Sequence, residues 1–268
     1  MPTLTANGIE IGYDQAGAGP PLLLVHAGIV DRRMWDPVWD ALAARYRVIR
    51  PDLRGFGETP NPDGGFAHWR DLAEMLRSLE AAPAHVVGVS MGASAALELA
   101  LAEPALVDRL LMVAPGLAGW EWSAALRAEW DAEEAAWQAG DLDEVAWINI
   151  RTWLDGPMRG GEAPSALRRA VFDMQRHALD LDNDNAVAVP LEPPARERLG
   201  EVRAPTLVVV GELDQPDMMA IGEHMAEAMP DARLTVMLGV AHLPPMEAPE
   251  AFVTLVEEFL AEGEGVDL

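Results

Sequence analysis

An apolar run passes into an alanine-rich segment through the sequence His85-Val86-Val87-Gly88-Val89-Ser90-Met91-Gly92. Residues 85–89 are typical of a short buried strand, and residues 93–102 carry the apolar spacing of a helix. A serine on a sharp strand-to-helix turn needs small residues two positions to either side, which Gly88 and Gly92 supply. Such a turn exposes the hydroxyl beside a helix N-terminus, where negative charge is stabilised. Ser90 is therefore the candidate nucleophile.

The composition is that of a globular chain without disulfides. The 268 residues are 50% hydrophobic, which predicts one large domain or one domain with an insertion. The absence of cysteine excludes disulfides, thiolate metal sites and cysteine nucleophiles. No apolar run has the length of a membrane span, and residues 1–8 lack the basic and apolar parts of a secretory signal. We expect a cytoplasmic protein.

The charge is strongly negative, at −25, and all 19 basic residues are arginine. The absence of lysine excludes Schiff-base chemistry on a lysine side chain. A field of this sign repels nucleic acid and anionic membrane surfaces, so neither is an expected partner. We interpret the acidic residues as solvated helix faces that keep the protein in solution.

Short apolar runs alternate with helical patterns along most of the chain, which predicts an α/β fold with a mostly parallel, doubly wound sheet. The predicted strands are residues 9–13, at a sheet edge, and 21–26, 48–51, 85–89, 109–113, 205–211 and 233–238. The predicted helices are residues 35–46, 69–79, 93–102, 218–229 and 249–260. The alternation stops between residues 116 and 201, which are rich in Trp, Glu, Arg and Ala at helical spacing. We predict a core of residues 1–115 and 202–268 and a helical insertion of residues 116–201, called the insertion below.

A serine hydroxyl needs a base within hydrogen-bond reach and an acid that orients the base. His242 follows the last predicted strand in a glycine-bearing loop, and the carboxyl ends of parallel strands share one edge of the sheet. Asp214 follows the preceding strand and is the expected acid, with Glu212 and Asp217 as neighbouring alternatives. The loop after the strand that ends at residue 113 contains no acid. Ser90, His242 and Asp214 are thus the predicted catalytic residues.

The loop His26-Ala27-Gly28-Ile29 follows the second predicted strand and is expected beside the Ser90 turn. Backbone amides in this position bind an oxyanion, and we predict those of Gly28 and Met91, with Ile29 as the alternative to Gly28. His26 is interpreted as a hydrogen-bonded structural residue of this loop.

Four ordered motifs resemble the α/β-hydrolase fold family over nearly the whole chain. The order Ser90, Asp214, His242 is the order of that family, and the turn at residues 88–92 resembles its nucleophile elbow. Residues 51–58 are similar to its loop after the third core strand, and residues 239–247 to the segment around its histidine. His26-Ala27-Gly28 stands where the family usually has His-Gly, with Ala27 in place of the usual glycine. By this resemblance the insertion corresponds to the family's substrate-selecting cap. Serine in place of aspartate argues against dehalogenase and epoxide hydrolase activity.

The resemblance implies a serine hydrolase, similar to the family's esterases and enol-lactonases. Such an enzyme cleaves a small carboxylic ester or lactone through an acyl-enzyme and needs no metal or organic cofactor. The alternatives are a carbon–carbon hydrolase of ring-cleavage products, an acyltransferase that excludes water, and a non-catalytic small-molecule-binding member of the fold. A homodimer is left open.

Residues that contact the substrate are harder to identify from the sequence. Trp122, Leu126 and Trp130 have the spacing of one helical stripe, which packs the insertion on the core or lines an apolar pocket. We take Ile29, Trp122 and Leu243 as substrate-binding candidates.

Other charged or polar residues have a simpler interpretation. Arg32 and Arg33 follow the oxyanion loop and are expected to be exposed to solvent, with recognition of a substrate carboxylate as the alternative. His177, within the insertion, is expected at the surface. Residues 180–184 lack the glycine and the later glutamate of a calcium loop, so no metal site is expected there.

Overall fold

The computed structural model describes residues 2–262, which form an eight-stranded sheet flanked by helices. The strands are β1 (Thr3–Ala6), β2 (Ile9–Ala16), β3 (Pro21–Val25), β4 (Arg47–Pro51), β5 (Gly64–Phe66), β6 (Ala84–Val89), β7 (Val107–Val113), β8 (Ala186–Ala188), β9 (Thr206–Gly211) and β10 (Ala232–Met237). The helices are α1 (Asp36–Ala43), α2 (His68–Ser78), α3 (Met91–Ala102), α4 (Ala124–Gln138), α5 (Leu142–Asn149), α6 (Ser165–Leu181), α7 (Pro216–Ala228), α8 (Pro244–Glu247) and α9 (Pro249–Ala261).

The sheet has the order β1-β2-β4-β3-β6-β7-β9-β10, and its strands from β4 to β10 are parallel. Every residue of β6 and β9 is buried, as expected of central parallel strands that are covered on both faces. The predicted α/β class is confirmed. The edge position predicted for residues 9–13 is wrong, because β2 pairs with β1 on one side and with β4 on the other. The predicted sheet lacked β1.

Helix α3 packs directly on β6 and β7. Its buried side chains are largely alanine, which lets the helix backbone lie close to the sheet. The first turn of this helix is therefore held at the carboxyl end of β6, where the candidate serine lies.

The insertion contains α4, α5, a π-helix (Ile150–Asp155) and α6, together with the short strand β8. Strand β8 pairs with β5 of the core in a second, two-stranded sheet that the sequence patterns did not predict. Helix α4 begins after Ser123, whose hydroxyl accepts the N–H of Leu126. Trp122 thus precedes the helix, and the predicted stripe is wrong at this residue. Within residues 2–262 no helix is both long and apolar enough to cross a membrane.

Candidate active site

Ser90 occupies a strained turn between β6 and α3. Its φ of 54° and ψ of −115° lie in a region that residues other than glycine rarely adopt. A Cβ on Gly88 would overlap the backbone of Gly92, and a Cβ on Gly92 would overlap the carbonyl oxygens of Val25 and His26. Both glycines are therefore required by close backbone approach, which is the reason the sequence pattern predicted the turn.

Met91 and Gly28, the two predicted oxyanion residues, are neighbours in the fold. The first hydrogen bond within α3 runs from Ser94 N–H to the Ser90 carbonyl, so the Met91 amide, one residue into the helix, has no acceptor in the helix. Gly28 packs against Met91, since a Cβ on Gly28 would lie 3.5 Å from Met91 Sδ. The structure thus brings together the two residues that were predicted to supply oxyanion donors. Ile29, the alternative, is buried in the same turn.

A buried carboxylate lies against a buried imidazole at the carboxyl ends of β9 and β10. Asp214 Oδ2 is 2.8 Å from His242 Nδ1, and both side chains are at most 2% exposed. The other oxygen, Asp214 Oδ1, accepts the N–H of Gln215 at 2.7 Å. An acceptor at Nδ1 holds the proton on that nitrogen and leaves the lone pair of Nε2 free.

The two alternative acids make other contacts. Glu212 is exposed and accepts the N–H of Gly239 at 2.9 Å. Asp217 accepts the N–H and the hydroxyl of Ser123, at 2.8 and 2.7 Å. Of the three carboxylates considered from the sequence, Asp214 is therefore the one that is bonded to the imidazole.

Parallel pairing places these loops at the edge that Ser90 also occupies, since β6, β7, β9 and β10 are neighbours in one parallel array. The hydrogen bonds of residues 2–262 do not include one between Ser90 Oγ and His242 Nε2. Catalytic hydrogen bonds are often long until a substrate binds. We therefore propose that the Ser90 hydroxyl pairs with the His242 imidazole, because both residues lie at the same edge of the sheet.

The tryptophan that contacts His242 is one that the sequence could not single out. The ring of Trp153, in the π-helix of the insertion, lies 4.4 Å from the imidazole, centroid to centroid, at an interplanar angle of 38°. Trp122 instead makes an edge contact with Trp130, at 5.3 Å. Leu243 is fully buried and Ile29 nearly so. The periodicity of the insertion gave no signal for Trp153, because the direction of its side chain depends on how the π-helix meets the core.

His26 has the structural role that was expected. It is fully buried, its Nε2 accepts the N–H of Leu53 at 2.9 Å, and its Nδ1–H donates to the Ala27 carbonyl at 2.8 Å. Burial lowers the pKa of this imidazole. The ring is therefore held neutral, and it fixes the loop that contains Gly28.

The exposure expected for Arg32 is wrong. This residue is only 5% exposed and forms ion pairs with Asp14, Asp52 and Glu58. Desolvation opposes the charge of the guanidinium, but these carboxylates outweigh it and raise the pKa of Arg32. The sequence gives no sign of this pairing, because Asp14 and the loop that contains Asp52 and Glu58 are both distant from Arg32 along the chain. Arg33 is about half exposed and pairs with Asp31.

His177, the remaining polar candidate of the insertion, has the surface position that was expected. His177 is exposed, and its Nε2–H donates to the Gly57 carbonyl at 2.9 Å. Among residues 2–262, no group of three His, Asp or Glu side chains is placed to hold a metal ion.

Comparison with known proteins agrees with this architecture. The model of the alpha/beta hydrolase family matches residues 22–255. The chain belongs to the alpha/beta hydrolase family.

Relatives of this chain within the family have several activities. The chain is 28% identical to the 2-hydroxy-6-oxo-6-phenylhexa-2,4-dienoate hydrolase of Burkholderia cepacia, over 96% of this chain and 93% of that protein. It is 27% identical to the pimeloyl-[acyl-carrier protein] methyl ester esterase of Aeromonas hydrophila, over 94% of this chain and all of the relative.

A solved member of the alpha/beta hydrolase family has a similar structure. The thermophilic esterase of Thermogutta terrifontis superposes with a TM-score of 0.78 at 26% identity, covering 97% of this chain and 96% of the esterase. The predicted membership of the family is therefore confirmed.

Proposed function

We propose that this alpha/beta hydrolase is a serine hydrolase that cleaves a small carboxylic ester or lactone. The observation that carries the proposal is the buried 2.8 Å contact between Asp214 Oδ2 and His242 Nδ1, at the sheet edge that also bears Ser90 in its strained turn. A buried acid that fixes an imidazole, together with a half-buried serine and the amide at a helix N-terminus, is the arrangement needed for acyl transfer. Two relatives named as esterases support the ester class.

The proposed reaction has two stages. Nε2 of His242 takes the proton of Ser90 Oγ as that oxygen attacks the acyl carbon, and Asp214 stabilises the imidazolium. The amides of Gly28 and Met91 stabilise the oxyanion, and the imidazolium returns its proton to the departing alcohol oxygen. Water, deprotonated by His242, then attacks the acyl-enzyme, releases the carboxylic acid and restores the serine.

A carbon–carbon hydrolase is the second candidate. One observation favours it, the 28% identity to a 2-hydroxy-6-oxo-6-phenylhexa-2,4-dienoate hydrolase over 96% of the chain. In this alternative the same serine, histidine and aspartate act at a ketone carbon, and the bond that breaks joins two carbons.

The proposal is tested with p-nitrophenyl esters of increasing acyl length and with simple lactones followed in a pH-stat, on the wild type and Ser90→Ala side by side. We expect turnover that depends on Ser90 and has an optimum of acyl length. Folded wild type that cleaves a ring-cleavage dienoate but no ester or lactone would support the second candidate. Binding of such compounds without turnover would indicate a non-catalytic member of the family.

A further inference from the structure

The C-terminal end of the π-helix lies on both loops that carry the proposed acid and base. Gly156 follows the π-helix with a φ of 70°, and its N–H donates to the carbonyl of Arg151 at 3.2 Å. A Cβ on Gly156 would overlap the carbonyl oxygen of Leu213 and would lie 3.2 Å from Cβ of Ala241. The backbone of the insertion therefore touches the residue before Asp214 and the residue before His242.

Side chains satisfy the carbonyl groups at this helix end. Gln215 Nε2 donates to the Thr152 carbonyl at 2.7 Å. Arg159 donates through Nε to the Asp155 carbonyl at 2.9 Å and through Nη2 to the Leu154 carbonyl at 3.2 Å. The last carbonyls of a helix have no partner within it, and a cation there is favoured by the helix dipole. Arg159 thus caps the helix that carries Trp153.

The same guanidinium forms an ion pair with Glu247, whose side chain is only 4% exposed. Oε2 of Glu247 also accepts the N–H of Ala241, and Oε1 accepts the N–H of Leu243, each at 2.9 Å. One buried carboxylate is therefore bonded to the amides immediately before and after His242. Burial of this charge requires such compensation, and both carboxylate oxygens receive it.

The imidazole of His242 is in contact with one group from the core and one group from the insertion. Asp214 Oδ2 lies 2.8 Å from Nδ1 of His242. The ring centroid of Trp153 lies 4.4 Å from the centroid of the imidazole. The pair of Arg159 and Glu247 joins the helix that bears Trp153 to the backbone that bears His242. Any shift of this pair would change the position of the imidazole relative to both neighbours.

We propose that Glu247 and Arg159 are positioning residues for His242, which couple the insertion to the catalytic base. The inference rests on the proposed function, because positioning matters only if His242 acts as the base. Neither side chain touches the imidazole. Glu247 acts through the two flanking amides, and Arg159 acts through Glu247 and the end of the π-helix.

The first test is Glu247→Gln, assayed with the best p-nitrophenyl ester. The amide keeps the shape of the carboxylate but has one acceptor oxygen, so one of the two flanking N–H groups loses its partner. We expect kcat to fall by about 10²-fold with KM little changed, since a displacement near 1 Å has an effect of this size. Arg159→Met should act in the same direction, and Arg159→Lys, which keeps the charge, should recover much of the loss.

Arg169→Met is the matched control. Arg169 also lies in the insertion and pairs with an acid, Asp173, at 3.0 Å, but both side chains are more than half exposed. Exposed pairs of this kind contribute little, so its kcat should stay within about 2-fold of wild type.

The second readout is the Nδ1–H proton of His242 in the NMR spectrum, assigned by its loss in His242→Gln. It should be shifted or broadened in Glu247→Gln and Arg159→Met and unchanged in Arg169→Met. This measurement needs no turnover, so it tests the positioning even if the proposed ester hydrolysis fails. An unaltered resonance, with kcat reduced only in proportion to the folded fraction, would overturn the proposal. Arg159→Met compared with Arg159→Lys provides the same test if Glu247→Gln does not fold.

Discussion

Replacing Asp214 by asparagine should reverse the tautomer of His242. Oδ1 of Asp214 accepts the N–H of Gln215 at 2.7 Å, while Oδ2 faces Nδ1 of His242 at 2.8 Å. In Asp214→Asn the carbonyl oxygen of the amide must stay toward the Gln215 N–H, because an NH₂ group there would oppose another donor. The NH₂ group is then directed at Nδ1, which becomes an acceptor. The proton moves to Nε2, the atom that has to accept a proton from Ser90.

The expected loss of activity follows from this reversal. An imidazole with its proton on Nε2 cannot act as the base, and an equivalent change in a serine protease triad lowers kcat by about 10⁴-fold, or about 5.4 kcal/mol of transition-state stabilisation. The volume of the side chain is unchanged and Gln215 keeps its acceptor, so we expect only a small change in the thermal midpoint. Activity and stability should therefore separate in this variant.

The assay is steady-state hydrolysis of the best p-nitrophenyl ester, with the thermal midpoint measured on the same samples. Glu212→Gln is the matched control, since Glu212 is an exposed carboxylate of the same loop that bonds Gly239 instead of the imidazole. Its kcat should remain within about 3-fold of wild type. Activity of Asp214→Asn within 10-fold of wild type, or a larger loss in Glu212→Gln, would refute the assignment of the acid.

Three further predictions concern the scaffold. In Gly92→Ala the new Cβ overlaps the carbonyl oxygens of Val25 and His26. We expect the free energy of unfolding in urea to fall by about 1–3 kcal/mol, and unchanged stability would contradict the close approach. Arg32→Met leaves the buried carboxylate of Asp52 without its ion-pair partner and should cost about 3–5 kcal/mol in the same assay, so a loss below about 1 kcal/mol would count against this buried pair. Burial lowers the pKa of His68 from 6.5 to about 4, so the unfolded chain takes up a proton in this window while the folded chain does not. The free energy of unfolding should therefore fall by up to about 1.4 kcal/mol per pH unit as pH drops from 6.5 to 4, and His68→Asn should show a shallower pH dependence over that window.

Short-range rules explain the part of the molecule that the sequence predicts well. Gly88 is required by its close approach to Gly92 within the turn, so the strand, the serine and the helix could be identified from residues 85–102. Gly92 is required by the carbonyl oxygens of Val25 and His26, from another strand and loop. The buried strands are continuous apolar runs, and the parallel sheet brings their carboxyl ends together. Membership of the family and the α/β class both follow from these local patterns.

Contacts between distant segments explain what the sequence did not predict. Arg32 is buried because acids from two other segments, β2 and the loop after β4, converge on it, and nothing in its own neighbourhood signals their approach. The side chain of Trp153 reaches His242 because the π-helix ends against two core loops, a geometry that helical spacing alone does not encode. In the sequence Glu247 is only one residue of the segment around the histidine, because its bonds to the two flanking amides depend on the fold of that loop.

The most direct test of the proposed Ser90–His242–Asp214 site is covalent labelling with a fluorophosphonate, followed by peptide mapping. The phosphorus centre reacts with an activated serine oxygen and expels fluoride, leaving a stable adduct of known mass. We predict one adduct per chain, on the peptide that contains Ser90, with labelling abolished in Ser90→Ala and strongly slowed in Asp214→Asn. Labelling at another residue, or a folded wild-type chain that stays unlabelled while it hydrolyses esters, would contradict the account.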